Sequence, residues 1–370
     1  MGDWGVSSLD FSFHGTAWDL CMVRFDEALA AALEGAGHRR VLLSHKGAHL
    51  VLAHIDPLDP KLYLRPDTGV FVVALLRQPR PPENIEAFAL EWIVRSLAHL
   101  VIVVAGPEAS PETYVRTLDR SLEHISAPAW SPRLFAQLLD RMRLLDVHLV
   151  LDNIFDRDLE AELREGGAAL PAMRRAALRL AEVGGLSAGP SVAEMLSHQE
   201  QRHLERLFQG SRFSYGNLSL RQDGQRFWMS TSGVDWQHVE MVGRDIQLVK
   251  GYDAPSRALL VSVPTGVRPR RVSADALTHH LIYRGNLAIG AIVHLHAWLE
   301  DLQAVAPDYA RGSLERAQSI ATLVEASLDP LHAAIGIERH GVIMTGEDLD
   351  EILARVDRSV LLPVSEGRAR

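Results

Sequence analysis

Two histidines, His294 and His296, stand two apart in the apolar run Ile289-Gly-Ala-Ile-Val-His-Leu-His296. An Ile- and Val-rich run of that length reads as a buried strand. On a strand, residues i and i+2 point to one face, so the two imidazoles lean out together at a spacing one metal ion can bridge. Just upstream, Ser273 is placed to cap a helix carrying Asp275, His279 and Tyr283 at i, i+4 and i+8, all on one face. A short turn at Arg284-Gly-Asn286 then leads into the strand, which brings a carboxylate beside the imidazoles. Oxygen and nitrogen ligands of this kind suit Zn²⁺ or another divalent ion. With 17 histidines in 370 residues, a His-x-His pair also arises by chance, so the surrounding motifs must decide.

Gly216-Asn-Leu-Ser219 enters a strand over 217–221, which Asp223-Gly224 joins to a second over 226–230. Asp-Gly between two strand-like runs is a hairpin signal. Small and amide residues at the entry turn can offer donors to a phosphate or carboxylate, and so can the turn Ser232-Gly233-Val234. Each of these, taken alone, reads equally as a turn with no ligand. Arg268, Arg270 and Arg271, just before Ser273, either supply charge for bidentate anion capture or form a solvated loop.

The motifs Gly216-Asn-Leu-Ser219, Ser230-Thr-Ser-Gly-Val234, Ser273-Ala-Asp275, His279 with Tyr283, His294-Leu-His296 and Arg339-His-Gly-Val342 follow one another in that order. Together they resemble the class II aldolase/adducin family from about residue 190 onward. The resemblance implies an α/β/α domain in which His294, His296 and His340 are three metal imidazoles. It also implies an anion pocket of Asn217, Ser232, Gly233 and Ser273, with Ala274 standing where the family has a second serine. Asp275 falls at the family's acidic position, Glu in the aldolases and Asp in the pentulose-phosphate 4-epimerases. The cofactor so implied is a divalent metal, Zn²⁺ first, with Mn²⁺, Fe²⁺ or Co²⁺ as alternatives.

Three nitrogen ligands leave positions open for substrate oxygens. An ion there acts as a Lewis acid, holding a hydroxy-ketone and stabilising the enediolate formed when a C–C bond breaks. Asp275 is then a fourth ligand or the base that shuttles a proton. Tyr309, in Pro307-Asp-Tyr-Ala, is a candidate acid, or on the plainer reading a surface loop residue. The function expected is a metal-dependent carbon–carbon lyase acting beside a carbonyl of a small hydroxylated, anionic, sugar-phosphate-like substrate, in a homo-oligomer. The alternatives are an epimerase or decarboxylase on the same site, or a non-catalytic adducin-like interaction module, against which three candidate ligands argue. The segment between His296 and His340 is shorter than in typical members of the family. The short tail also offers no match for a C-terminal catalytic tyrosine.

The bulk properties bound the rest. A chain of 370 residues suggests two domains, and 47% hydrophobic residues describe a soluble globular protein. A net charge of -9 argues against a nucleic-acid partner. Cys21, the single cysteine, excludes an intramolecular disulfide and fits a reducing compartment. There is no run approaching the ~20 apolar residues of a membrane span, and the acidic start is not a signal peptide. The expectation is a cytoplasmic protein with a small-molecule substrate and no membrane contact.

Along the chain, residues 1–20 read as irregular and 25–34 as a helix. Strands are expected at 40–44, 49–54, 69–76, 100–105 and 147–153, and helices at 85–97, 113–125, 131–144, 158–165 and 171–183. Strands alternating with helices indicate an α/β layered N-terminal domain over 1–185, of unknown role. The turn Gly106-Pro-Glu-Ala-Ser has no glycine-rich loop for a dinucleotide phosphate, and no Gly-x-x-x-x-Gly-Lys loop occurs. His38, His45, His49 and His54 lack metal-ligand spacing. The Gly/Pro-rich stretch Gly184–Pro190 is the expected boundary, and 191–210 the first helix of the aldolase-like domain over 190–370.

Overall fold

The structure is a computed structural model, and it describes residues 9–41, 48–64, 70–117, 122–143, 151–182, 196–202, 216–299, 302, 304–307, 309, 312–338, 340–357 and 361–362. The fold is mixed α/β, in two compact units: Met1–His148 with Glu194–Leu207, and Leu149–Ala193 with Phe208–Arg370. The expected boundary at 184–190 lies outside the described residues, as do 42–47, 118–121 and 203–210. Among the described residues no helix is long and apolar enough to cross a membrane.

The first unit is built on β1 (Asp10–His14), α1 (Leu20–Gly35), β2 (Arg39–Arg40), β3 (Leu50–Ile55), β4 (Phe71–Gln78), α2 (Ile85–Ser96), β5 (Leu100–Ala105), β6 (Glu112–Arg116), β7 (Glu123–His124) and α3 (Pro132–Arg143). Its sheet runs β2-β1-β3-β4-β5-β6-β7, parallel as far as β5 and antiparallel beyond it. Leu50, Leu52, Val73, Leu75, Ile102 and Val104 share one core with α1 and α3, so alternate strand residues serve one face.

Two expectations are corrected here. Residues 10–14 are an interior strand, not irregular chain: Phe11 and Phe13 alternate with Asp10, Ser12 and His14, a period of two hidden by three residues that rarely form strands. Residues 112–116, overlapping the helix expected over 113–125, form a strand between β5 and the two-residue edge strand β7. Thr113 and Val115 point inward while Glu112 faces out, the half-buried alternation of an antiparallel strand.

The second unit contains β8 (Asp152–Asp156), α4 (Ala169–Glu182), β9 (Asn217–Asp223), β10 (Arg226–Ser230), β11 (Ile246–Asp253), β12 (Ala258–Ser262), α5 (Ala276–Gly285), β13 (Ala291–Leu295), β14 (Trp298–Leu299), β15 (Ala304–Ala306), α6 (Leu314–Ala326), β16 (Ala334–Ile337), β17 (Gly341–Gly346), α7 (Leu349–Val356) and β18 (Leu361–Leu362). Nine strands form one sheet in the order β15-β16-β17-β13-β9-β10-β11-β12-β8, and β14 pairs with β18. Leu218, Trp228, Leu248, Val293 and Leu295 pack with α4 and α7, whereas Phe227, Met229, Val249, Ile292 and Ile343 pack with α5 and α6. The result is an α/β/α sandwich.

Residues 151–157 brace the approach to α5 from the sheet edge. β8 lies parallel to β12, and Asn153 Oδ1 accepts from Val272 N at 2.9 Å. Arg271 donates to the Leu151 carbonyl at 2.7 Å and pairs with Asp152 at 3.1 Å. This arginine therefore holds the frame of the site instead of standing free for an anion.

Candidate metal centre

β9 and β13 are neighbours in the middle of the sheet, with Asn217 directly opposite His294. Asn217, Ser219 and Arg221 lie two apart on β9 and share the face that carries α5. Each grips that helix at a different level. Asn217 Nδ2 donates to Asp275 Oδ2 at 2.8 Å and to Ser273 Oγ at 3.2 Å, at the helix start. Ser219 Oγ lies 2.7 Å from His279 Nδ1 and 2.8 Å from the Tyr283 hydroxyl, at mid-helix. Arg221 donates to the carbonyls of Tyr283 at 3.1 Å and Asn286 at 2.7 Å, capping the helix end. Its guanidinium also covers the Tyr283 ring at 4.5 Å.

Asp275, His279 and Tyr283 thus share one face, as their spacing requires. The cap differs from expectation. Asp275, not Ser273, occupies the cap position, and its carboxylate makes no cap hydrogen bond. It is turned to His294 instead: Oδ2 accepts from Nδ1 at 2.9 Å, with both side chains buried. Asn217 Nδ2 lies 3.2 Å from the same Nδ1. An ionised carboxylate can only accept, so its bond to Nδ1 assigns the ring proton there and leaves Nε2 the nitrogen with a lone pair to give.

His340 reaches the cluster by a different route. It stands in the turn between β16 and β17, where its N–H donates to the Ile337 carbonyl at 2.9 Å. The next residue, Gly341, has φ +145°, and a Cβ there would lie 2.0 Å from the Leu295 carbonyl oxygen and 3.1 Å from His296 Cα. Only glycine permits this approach, and it sets His340 against the end of β13. The ring centroids of His294, His296 and His340 are 4.9, 5.0 and 4.6 Å apart. One nitrogen from each ring lies within 4.8 Å of the others. His294 and His340 are buried and His296 is half-buried. Three imidazoles on one point, one of them held by a carboxylate through its other nitrogen, fit a divalent ion such as zinc.

The remaining site residues are less concentrated. Ser273 is buried, and its hydroxyl also accepts from Asp275 N at 3.4 Å. Ser232 is exposed, with its N–H donated to the Arg271 carbonyl at 2.8 Å, and Gly233 beside it has φ +72°. Tyr309 is 40% exposed. Its backbone carbonyl, not its phenol, is tied toward the cluster, by Arg316 Nη1 at 3.4 Å.

Arg316 was not foreseen from the sequence. It lies in the first turn of α6, which Ser313 caps, is 1% exposed, and brings Nη2 to 3.9 Å from Asp275 Oδ1. An arginine just inside a capped helix ordinarily reads as solvated, and nothing in its local sequence signals burial. Burial drives the pKa of His279 down to about 3, against the pull of Asp275, with His294 lowering it further. Burial likewise raises that of Tyr283. Both are therefore neutral near pH 7.

Residues 200–299 match the Class II Aldolase and Adducin N-terminal domain. The aldolase/adducin match takes in Asn217, Asp275, His294 and His296, while Arg316 and His340 lie beyond it. No curated protein sequence matches the chain. Solved structures similar to it include YgbL of Klebsiella pneumoniae, at 18% identity and TM-score 0.35 over 51% of this chain and 83% of that one. YgbL of Escherichia coli is 19% identical with TM-score 0.35, over 54% and 97% respectively. An L-fuculose 1-phosphate aldolase is 16% identical with TM-score 0.33, over 54% and 93%.

Proposed function

We propose that the second unit is a metal-dependent lyase that makes or breaks a C–C bond beside a carbonyl of a small, hydroxylated, anionic substrate. The observation that supports this reading is the cluster of His294, His296 and His340, with His294 Nδ1 held by Asp275. The three histidines would hold the ion through ring nitrogens. When bound, a divalent ion, Zn²⁺ first, supplies Lewis acidity toward a substrate carbonyl and a neighbouring hydroxyl. Asp275 acts as a positioning residue that fixes the tautomer and aim of His294, and Asn217 holds Asp275 in turn. The exposed Ser232-Gly233 turn, with Asn217 and Ser273 behind it, faces the anionic end of the substrate. The buried walls from α5 and α6 keep water from the reacting carbon.

The same reading takes the protein as a homo-oligomer of the cytoplasm, where its one thiol stays reduced. Metal analysis of the purified chain, with an aldol-cleavage screen on phosphorylated and free keto-sugars, tests it. Expected are a stoichiometric divalent ion, lost in His340→Ala, and cleavage of at least one substrate. A chain that retains no ion sinks the proposal, and an ion with no cleavage across the screen overturns the lyase and leaves an epimerase or decarboxylase on the same site, or a metal-bearing interaction module.

A further inference from the structure

The sheet of the first unit is wound in two directions. In its sheet the chain passes from β1 outward to β2, then crosses back to β3 and continues through β4 to β5 on the other side. The winding reverses between β1 and β3. In open parallel sheets ligands settle outside the carboxyl ends of the strands at such a reversal, because the connections there leave in opposite directions and open a crevice.

The carboxyl ends of β1 and β3 carry His14 and His54. Gly15, at φ +77°, lets the two strand ends close up: a Cβ there would lie 3.3 Å from His54 Cβ and from the His54 carbonyl oxygen. His54 is buried, with Nε2 2.8 Å from Asp26 Oδ2 of α1. Its ring is stacked at 6.2 Å from Phe13 and meets Trp18 edge-on at 5.9 Å. Trp18 is nevertheless 39% exposed. His14 is half-buried and lies against the Tyr63 ring at 5.0 Å. Burial, and then the nearby His54, lower the pKa of His14, so it offers one donor and one acceptor.

The place where a phosphate would sit is already filled. Asp19 caps α1 and accepts from Met22 N at 2.8 Å, and it pairs with buried Arg77 at 3.0 Å. Arg77 also donates to the carbonyls of Val104 at 3.1 Å and Gly106 at 2.7 Å. A carboxylate of the chain itself thus holds the helix N-terminus and its arginine, the two features that would otherwise attract an anion.

We propose that the carboxyl edge of the first sheet, between β1 and β3, is a small-molecule site for an uncharged planar nitrogen heteroaromatic ring, stacked on Trp18 and hydrogen-bonded by His14. A nucleoside base and an isoalloxazine share that chemistry, and the test separates them. Equilibrium dialysis of the full chain against adenosine, AMP, riboflavin and FMN should show binding of at least one of the two unphosphorylated compounds. Its phosphorylated partner should bind no tighter. Trp18→Ala should weaken that binding roughly 5- to 100-fold, the range of one aromatic stack. Thr16→Arg, at an exposed position on the lip, should weaken it by obstruction, with the thermal melt of both variants recorded as a folding control. Absence of binding by either unphosphorylated compound up to about 1 mM, the weak end of specific affinity, overturns the proposal. So does binding unaffected by both substitutions. AMP or FMN binding more than about tenfold tighter than its unphosphorylated partner, 1.4 kcal/mol, would show that Asp19 does not fill the anion seat.

Discussion

Asp275 and His294 are joined by a 2.9 Å hydrogen bond with 1% and 0% of their side chains exposed, so the carboxylate is committed to an imidazole before any ligand arrives. Asp275→Asn is therefore expected to act on the metal first. Outer partners of ligating histidines are worth about 10- to 100-fold in metal affinity. Competition with a chromogenic chelator should register that loss. Normal affinity, with turnover down roughly 10²- to 10⁴-fold, would instead make Asp275 the base.

Gly341→Ala places a methyl group 2.0 Å from the Leu295 carbonyl at a backbone angle alanine avoids. The cost should be on the order of 3 kcal/mol or more. Thermal unfolding should show a lower midpoint, and the folded fraction should bind metal weakly because His340 is displaced. A midpoint within one degree or so of wild type would mean that the turn relaxes freely.

Ser219→Ala leaves His279 Nδ1 and the Tyr283 hydroxyl in the core without their shared partner. A buried polar group stripped of its hydrogen bond costs about 1–3 kcal/mol, to be measured by urea unfolding. The effect should be on stability, with metal affinity moving far less than in Asp275→Asn.

The pH dependence has a definite sign. His279 is held at about 3 in the folded chain, against 6.5 for an ordinary histidine. Between those values the unfolded chain binds a proton that the folded chain refuses, so stability rises with pH across the window. It is lost at up to about 1.4 kcal/mol per pH unit as pH falls from 6.5 toward 3. His279→Gln should flatten that slope. An unchanged slope would place the acid sensitivity elsewhere.

The second unit was readable where chemistry and periodicity coincide. His294 and His296 occur in a strand-like run, and Asp275, His279 and Tyr283 share a helical face, so local spacing alone brings them together. Arg316 and Arg221 could not be read, because burial of a charged residue is decided by elements distant in sequence. Arg316 depends on α6 packing beside α5, and Arg221 on β9 running under the helix. β1 was missed for a related reason: Asp10, Ser12 and His14 are poor strand formers, and only pairing on both sides makes Asp10–His14 a strand. The local pattern points to the turn after β5 for a dinucleotide phosphate, whereas the sheet reverses between β1 and β3, a property of strand order that no local pattern carries.

The three grips of β9 on α5 have a consequence for how the metal centre can be damaged. Asn217, Ser219 and Arg221 face the helix only at one parity of the strand, and the pairing of β9 with β13, Asn217 opposite His294, sets that parity. Slipping β9 by one residue against β13 would turn all three side chains to the opposite layer at once. The alignment of the histidine cluster is thus stored in the register of a strand that contributes no histidine. One residue inserted between Asn217 and Ser219 would turn grips away from the helix while leaving every histidine in the chain.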